Sequence, residues 1–278
     1  TDDTADAVTI TVNTFGGGTG NVALGVITAG TTSGATGGRV TIDAASGAIT
    51  DANTTANNVT AGNVILSGMS GVGSLADPIE TTVSRVEGAG GNGGFFLIDI
   101  DDLTIGGIDG SRVGVMTTTS DVNVQSNGSM TVEENVSAAT TGNVLLKANE
   151  TAGTDNLTVN GGVTINATSG NVDLQAGDNI TLMATSIVSA SGAIGIVGDC
   201  DDADSGSGTT LTIAAQLTSG TGTTVTGGAD SDTYSITYPS GVTNTGNVTI
   251  VDAGGANDVV TVSGSDDDED VFITTTEP

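Results

Sequence analysis

The residues in this chain that could do chemistry are almost all carboxylates. Thirty-three Asp and Glu stand against four Lys and Arg, a net charge of −29, and there is no His. Without His there is neither an imidazole base nor a His-ligated zinc. What clustered carboxylates do well is hold a hard cation, because Ca²⁺ takes roughly six to eight oxygens from carboxylates and carbonyls. Four turns carry such clusters: Asp2-Asp3-Thr4-Ala5-Asp6, Asp99-Ile100-Asp101-Asp102, Asp199-Cys200-Asp201-Asp202-Ala203-Asp204 and Asp266-Asp267-Asp268-Glu269-Asp270. Asp199, Asp201 and Asp204 are spaced to converge in a Gly-rich loop, and Asp268 and Asp270 are ligand candidates in the last cluster. We expect Ca²⁺ at one or more of these turns, since so many uncompensated charges repel one another unless cations bind. A solvated acidic surface that keeps a β-rich chain in solution is the other reading of the same residues.

The charge balance also excludes partners. Nucleic-acid binding needs a basic footprint, and anionic membranes would repel this chain. No apolar run approaches the length of a membrane helix. Polysaccharide lyases need a base and a cation for the substrate carboxylate, yet Arg39, Arg85, Arg112 and Lys147 are scattered along the sequence. Aromatic platforms for sugar rings are nearly absent, with four Phe, two Tyr and no Trp. We therefore expect no enzymatic activity. The basic residues read as partners of nearby acids, Lys147 with Glu150 for example. Cys200, the single cysteine, provides no disulfide framework and reads as a small hydrophobe or a loop thiol. Asn-x-Ser/Thr occurs at Asn53, Asn58, Asn127, Asn135, Asn149, Asn156, Asn166, Asn179 and Asn247, so glycans are a candidate modification.

The elements that must position these residues are announced by a repeat. Gly-Asn-Val-x-(Leu/Ile) occurs at Gly20, Gly62, Gly142, Gly170 and Gly246. Each copy is a turn followed by apolar-polar-apolar alternation, and period 2 places the apolar pair on one face. Strand anchors fall at Val122, Met130 and Val136, then Val144, Leu157 and Val163, then Val172, Ile180 and Ile187, then Ile194. Three short strands per coil of roughly 20 residues describe a right-handed parallel β-helix, a solenoid. A β-sandwich, the competing all-β fold, would carry more buried aromatics and longer strands. At roughly 4.8 Å per rung, about ten coils make a shaft of about 45–50 Å. Val122, Val144, Val172 and Ile194 are expected in one inward stack.

Two resemblances add to this. Ile42-Asp43-Ala44-Ala45-Ser46-Gly47-Ala48-Ile49-Thr50-Asp51-Ala52-Asn53, then Val59-Thr60-Ala61-Gly62-Asn63-Val64-Ile65-Leu66, then Gly71-Val72-Gly73-Ser74-Leu75-Ala76-Asp77-Pro78-Ile79-Glu80-Thr81, resemble the shafts of filamentous-haemagglutinin-type bacterial surface adhesins. The resemblance covers about residues 38 to 226 and implies an extracellular, cell-surface, non-enzymatic role. Gly227-Gly228-Ala229-Asp230-Ser231-Asp232-Thr233-Tyr234-Ser235 resembles the calcium nonapeptide of RTX proteins, and Gly254-Gly255-Ala256-Asn257-Asp258-Val259-Val260 is a shortened version. That implies Asp230, Asp232 and Asp258 as further Ca²⁺ ligands. The expected organisation is an N-terminal, subunit-linking strand at 1–15, a parallel β-helix at 16–226 and a small β-rich module at 227–278. The expected function is a structural subunit of an extracellular bacterial fibre, surface layer or biofilm matrix. It would assemble head to tail with itself through strands at 7–13 and 270–275. The alternative is an adhesin fragment that binds a host ligand, glycan or matrix polysaccharide through loops at 86–94 or 199–208.

Overall fold

The structure is a computed structural model. It describes residues 6–12, 19–30, 38–151, 153–201, 206–238, 240–241, 244–252 and 254–264. Among them there is no helix: the chain winds as a parallel β-solenoid of about nine turns, one fewer than the repeat length predicts. Strands separated by one coil pair in parallel to build a 16-stranded and a 13-stranded sheet. The one antiparallel contact among the described residues is the isolated bridge between Ser74 and Asp77.

The inward stack falls as the spacing predicts. Val122 pairs with Val144, Val144 with Val172, and Val172 with Ile194, all fully buried. Phe95 extends the column below and Thr223 above. A second column, Leu97, Val124, Leu146, Leu174, Ile196 and Val225, runs beside it. Burial of each such side chain is worth about 1.5–3 kcal/mol, and stacking places like on like. On a third side the anchors differ from expectation. Val136 stacks on Ile165, and Ile165 on Val188, rather than on Val163 and Ile187. Val163 is buried in the turn that precedes strand Thr164–Ala167, and adjacent apolar pairs such as Ile187-Val188 leave a period-2 reading ambiguous.

The Gly-Asn corner has a physical cause. The Asn143 N–H donates to Asp121 Oδ1 (2.7 Å), the Asn171 N–H to Asn143 Oδ1 (2.9 Å) and the Ala193 N–H to Asn171 Oδ1 (2.9 Å). Each side chain thus accepts the backbone N–H one rung up, at the corner where ladder pairing lapses. The preceding glycine lies against the rung below: a Cβ on Gly142 would run into the Ser120 carbonyl.

Among the described residues the shaft changes cross-section once, at 85–99. Below residue 85 one side is a single long strand (Arg39–Ala44, then Asn63–Gly68), and the opposite side is split (Gly71–Val72 and Ile79–Thr82). Above residue 99 the arrangement inverts. Strand Arg85–Ala89 pairs upward with both Leu103–Ile105 and Val115–Thr117. Strand Phe95–Asp99 pairs downward with both short strands and upward with the single strand Val122–Ser126.

Two ladders run through the expected domain boundaries. Strand Asp6–Val12, expected to link subunits, pairs within its own molecule on Arg39–Ala44. Thr233–Thr237, Val248–Val251 and Val259–Ser263 continue the ladders above Thr210–Ile213 and Gly222–Thr226. The stretch 86–94, expected as a loop, is mostly strand Arg85–Ala89 with a tight turn. Its glycines answer to packing: a Cβ on Gly88 would overlap the Leu66 carbonyl. The strand expected at 270–275 lies outside the described residues.

Candidate functional site

The carboxylates gather most tightly near the upper end, where a corner column recurs one or two residues before successive strands. Asp178 Oδ2 accepts the Asp155 N–H (2.5 Å), Asp232 Oδ1 the Thr209 N–H (2.9 Å) and Asp258 Oδ1 the Asp232 N–H (3.0 Å). These acids accept the N–H one rung below, opposite in direction to the Asn ladder, which at this corner runs through Asn156 and Asn179. Strand Val248–Val251 then delivers Asp252 to the same place. Oxygens of Asp232, Asp252 and Asp258 lie within 4.8 Å of one another. The Tyr234 hydroxyl lies between two of them, 3.3 Å from Asp232 Oδ2 and 3.2 Å from Asp252 Oδ1. Asp232 is fully buried, while the other two face solvent.

The electrostatics follow from that crowding. Burial raises Asp232 above the usual carboxylate range, and the charges of Asp258 and Asp230 add to it. Asp252 is raised by burial and by Asp258. Burial and the two flanking carboxylates push the Tyr234 phenol up as well. No Lys or Arg among the described residues forms an ion pair with the three acids. Three carboxylates and a phenol oxygen form a donor set of the kind a hard cation takes.

The candidate ligands thus divide. Asp232 and Asp258 come together, and Asp230 lies near them, its Oδ2 accepting the Gly206 N–H (2.5 Å). Asp199 packs against Gly228, where a Cβ would overlap its carboxylate. Asp201 instead pairs with a cation of its own chain, its Oδ2 lying 2.6 Å from Lys147 Nζ. Sequence spacing suggests Glu150 as the partner of Lys147; stacking brings Asp201 to it from two rungs above, across 54 positions of sequence. Asp204, Asp268 and Asp270 lie outside the described residues. Asp252 was missed by sequence reasoning, since it stands outside the nonapeptide pattern and only strand pairing places it beside Tyr234.

The scattered arginines also converge. Residues 106–114 leave the shaft as a strap that folds back over strands Asn63–Gly68 and Arg85–Ala89. Arg112 donates to Ser67 Oγ, and Arg85 donates to the Gly106 carbonyl and pairs with Glu133 (2.6 Å); Asp109 in the strap is held below the usual carboxylate range chiefly by hydrogen bonds from the Ser111 N–H and hydroxyl, with the charges of Arg39 and Arg112 adding to it. Arg85 and Arg112 are thus engaged by an acid, a carbonyl and a hydroxyl of their own chain, so they clasp the strap to the shaft. A polar groove of about 520 Å³ lies at another corner, lined by Asp101, Asp102, Asn127, Thr151 and Asp155 among others. Among the sequon asparagines, Asn58 is fully buried and donates to the Leu24 and Gly25 carbonyls, which rules it out as a glycan site.

No family model matches the chain, and no match was found among curated proteins or solved structures.

Proposed function

We propose that this chain is a structural subunit of an extracellular bacterial fibre, surface layer or biofilm matrix. Its β-solenoid shaft, of the kind found in filamentous-haemagglutinin-type adhesins, joins end to end with further copies. The observation that carries this reading is the state of the upper end. One inward column ends on a side chain open to water: Val260, above buried Leu211 and Tyr234, is 49 % exposed, while the Val122 and Val124 columns end on half-buried Val248 and Ile250. Among the described residues nothing pairs with the outer edges of Val248–Val251 or Val259–Ser263. An edge of this kind invites another strand. Because the two ends differ, the contact is heterologous and propagates as a filament.

Calcium fits into the same reading. With a net charge of −29, two shafts approaching end on repel each other. A cation held by Asp232, Asp252 and Asp258, with Asp230 beside them, lowers the repulsion at that end, as in the RTX nonapeptide that this stretch resembles. Negative-stain images of the purified protein with millimolar Ca²⁺ test the proposal. Unbranched filaments one shaft wide are expected. Isolated rods at every protein and calcium concentration would overturn it.

A further inference from the structure

Three of the four basic residues are locked into ladders, and the strap holds the fourth. Arg39 pairs with Asp6 below and Asn63 above, Arg85 with Asn63 and Thr104, and Lys147 with Gln125 and Gln175. Arg112 lies in a turn between strands Leu103–Ile105 and Val115–Thr117. The chain takes residues 106–114 to cross this corner, where it needs only 133–135 one rung up and 160–163 above that. The extra length stands off the shaft: Val113 is 49 % exposed, and a Cβ on Gly110 would meet nothing within 4 Å. The strap is tied at its feet. Glu87 Oε1 accepts the N–H groups of Ile108 (2.6 Å) and Asp109 (3.0 Å), and Glu134 Oε2 accepts the Gly114 N–H (2.7 Å). Between these feet, among the described residues, the backbone bonds only within the strap: Ser111 N–H to Asp109 Oδ1 and Arg112 N–H to the Asp109 carbonyl. Exposed loop tips of this kind are where chains are nicked, because a protease must draw its substrate into an extended form that a paired strand cannot supply.

We propose that the strap is a processing site: a serine protease of arginine specificity hydrolyses the Arg112–Val113 peptide bond, and the two halves remain one shaft. Water adds across the bond, leaving a carboxylate on Arg112 and, near neutral pH, an ammonium on Val113. Three ladders span the cut and hold the halves together. Strand Arg85–Ala89 pairs with Val115–Thr117, Phe95–Asp99 with Val122–Ser126, and Leu103–Ile105 with Met130–Val132. The inward residues of these strands, Val86, Phe95, Leu97, Val115, Val122, Val124 and Val132 among them, are fully buried. The new ammonium also has a partner in place. Val113 precedes Gly114, whose N–H already bonds Glu134, and Glu134 lies against the other foot as well, where a Cβ on Gly106 would overlap its side chain. Glu87 feels the charges of both Glu134 and Asp109, so the cut brings a cation among three carboxylates. The released arm carries Arg112, whose remaining tie to the shaft is its bond to Ser67 Oγ.

Trypsin tests this, because the bonds it can cut follow Arg39, Arg85, Arg112 and Lys147 alone. Digestion of the full chain under native conditions should cut after Arg112 at least about a hundredfold faster than after the other three, which become accessible only when ladders open. The fragments 1–112 and 113–278 should separate in denaturant, yet elute together at the size of the intact protein without it. Arg112→Gln should leave the native protein whole on the same timescale, while the unfolded variant is still cut at Arg39, Arg85 and Lys147. First cleavage at any of those three bonds in the native wild type, equal resistance at all four, or halves that part in native buffer would overturn the inference. Glu134→Gln reads the new amine, since it keeps an acceptor for Gly114 and loses the charge. It should lower the Tm of the cut protein by about 2 °C more than that of the intact one. Equal shifts in the two forms would overturn the pairing of Val113 with Glu134.

Discussion

Replacing Gly142 with Ala adds one methyl group at a corner whose rungs are roughly 4.8 Å apart. The built Cβ overlaps the Ser120 carbonyl and lies 2.8 Å from the Asp121 nitrogen, inside the closest approach that real side chains make. Gly142 has an ordinary φ, so the cost is steric rather than conformational. Relief requires the corner to lift. The bonds at risk are Asn143 N–H to Asp121 Oδ1 (2.7 Å) and Val122 N–H to the Asn143 carbonyl (2.9 Å). At about 1 kcal/mol for each, plus residual strain, the expected loss is about 3 kcal/mol. For a chain of this size that lowers Tm by about 6 °C or more. Gly110→Ala is the matched control. It adds the same methyl where nothing lies within 4 Å, also at an ordinary φ. Restricting the unfolded chain should there raise stability by about 0.4–1 kcal/mol. Thermal unfolding followed by far-UV circular dichroism reads both. Equal Tm values for the two variants would refute the idea that rung-to-rung contact dictates the Gly-Asn corner.

Other outcomes follow from the columns and the acidic corner. Thr223 sits in the inward stack with its hydroxyl buried and unpaired, so Thr223→Val should raise stability by about 1 kcal/mol in denaturant titration. Leu146→Ala, between Val124 and Leu174, should cost about 3 kcal/mol in the same titration, because the paired rungs cannot collapse into the space. Millimolar Ca²⁺ should raise Tm and EDTA should lower it, and Asp232→Asn should abolish the difference by scanning calorimetry.

The parallel coil and its principal column are legible from Val122 onward because two signals agree there: the alternation of apolar residues and the Gly-Asn turn before each strand. Period 2 is also the limit of that reading. It does not say which of two adjacent apolar residues points inward, and so it selects Val163 and Ile187 where the structure stacks Ile165 and Val188. The inversion at 85–99 is invisible for a different reason. Whether a strand meets one partner or two depends on rungs above and below, and Arg85–Ala89 has no local mark of it. The glycines at 88 and 90 read as loop by composition, yet they are present because neighbouring carbonyls leave no room for a Cβ. Pairs that span rungs are the least legible. Lys147 with Asp201, and Asp252 with Asp232 and Asp258, are set by stacking rather than by spacing along the chain. Asp232 and Asp258 stand out in the sequence because their turns resemble a known motif.

The proposal that these shafts continue one another end to end is tested most directly by the axial repeat of a native filament. Averaged images of calcium-grown filaments should give a meridional spacing of roughly 4.7–4.8 Å from stacked rungs. They should also give a subunit repeat of about 43 Å, the height of about nine turns. Filaments whose strand spacing runs across the fibre axis, or preparations that yield only isolated rods, would contradict it.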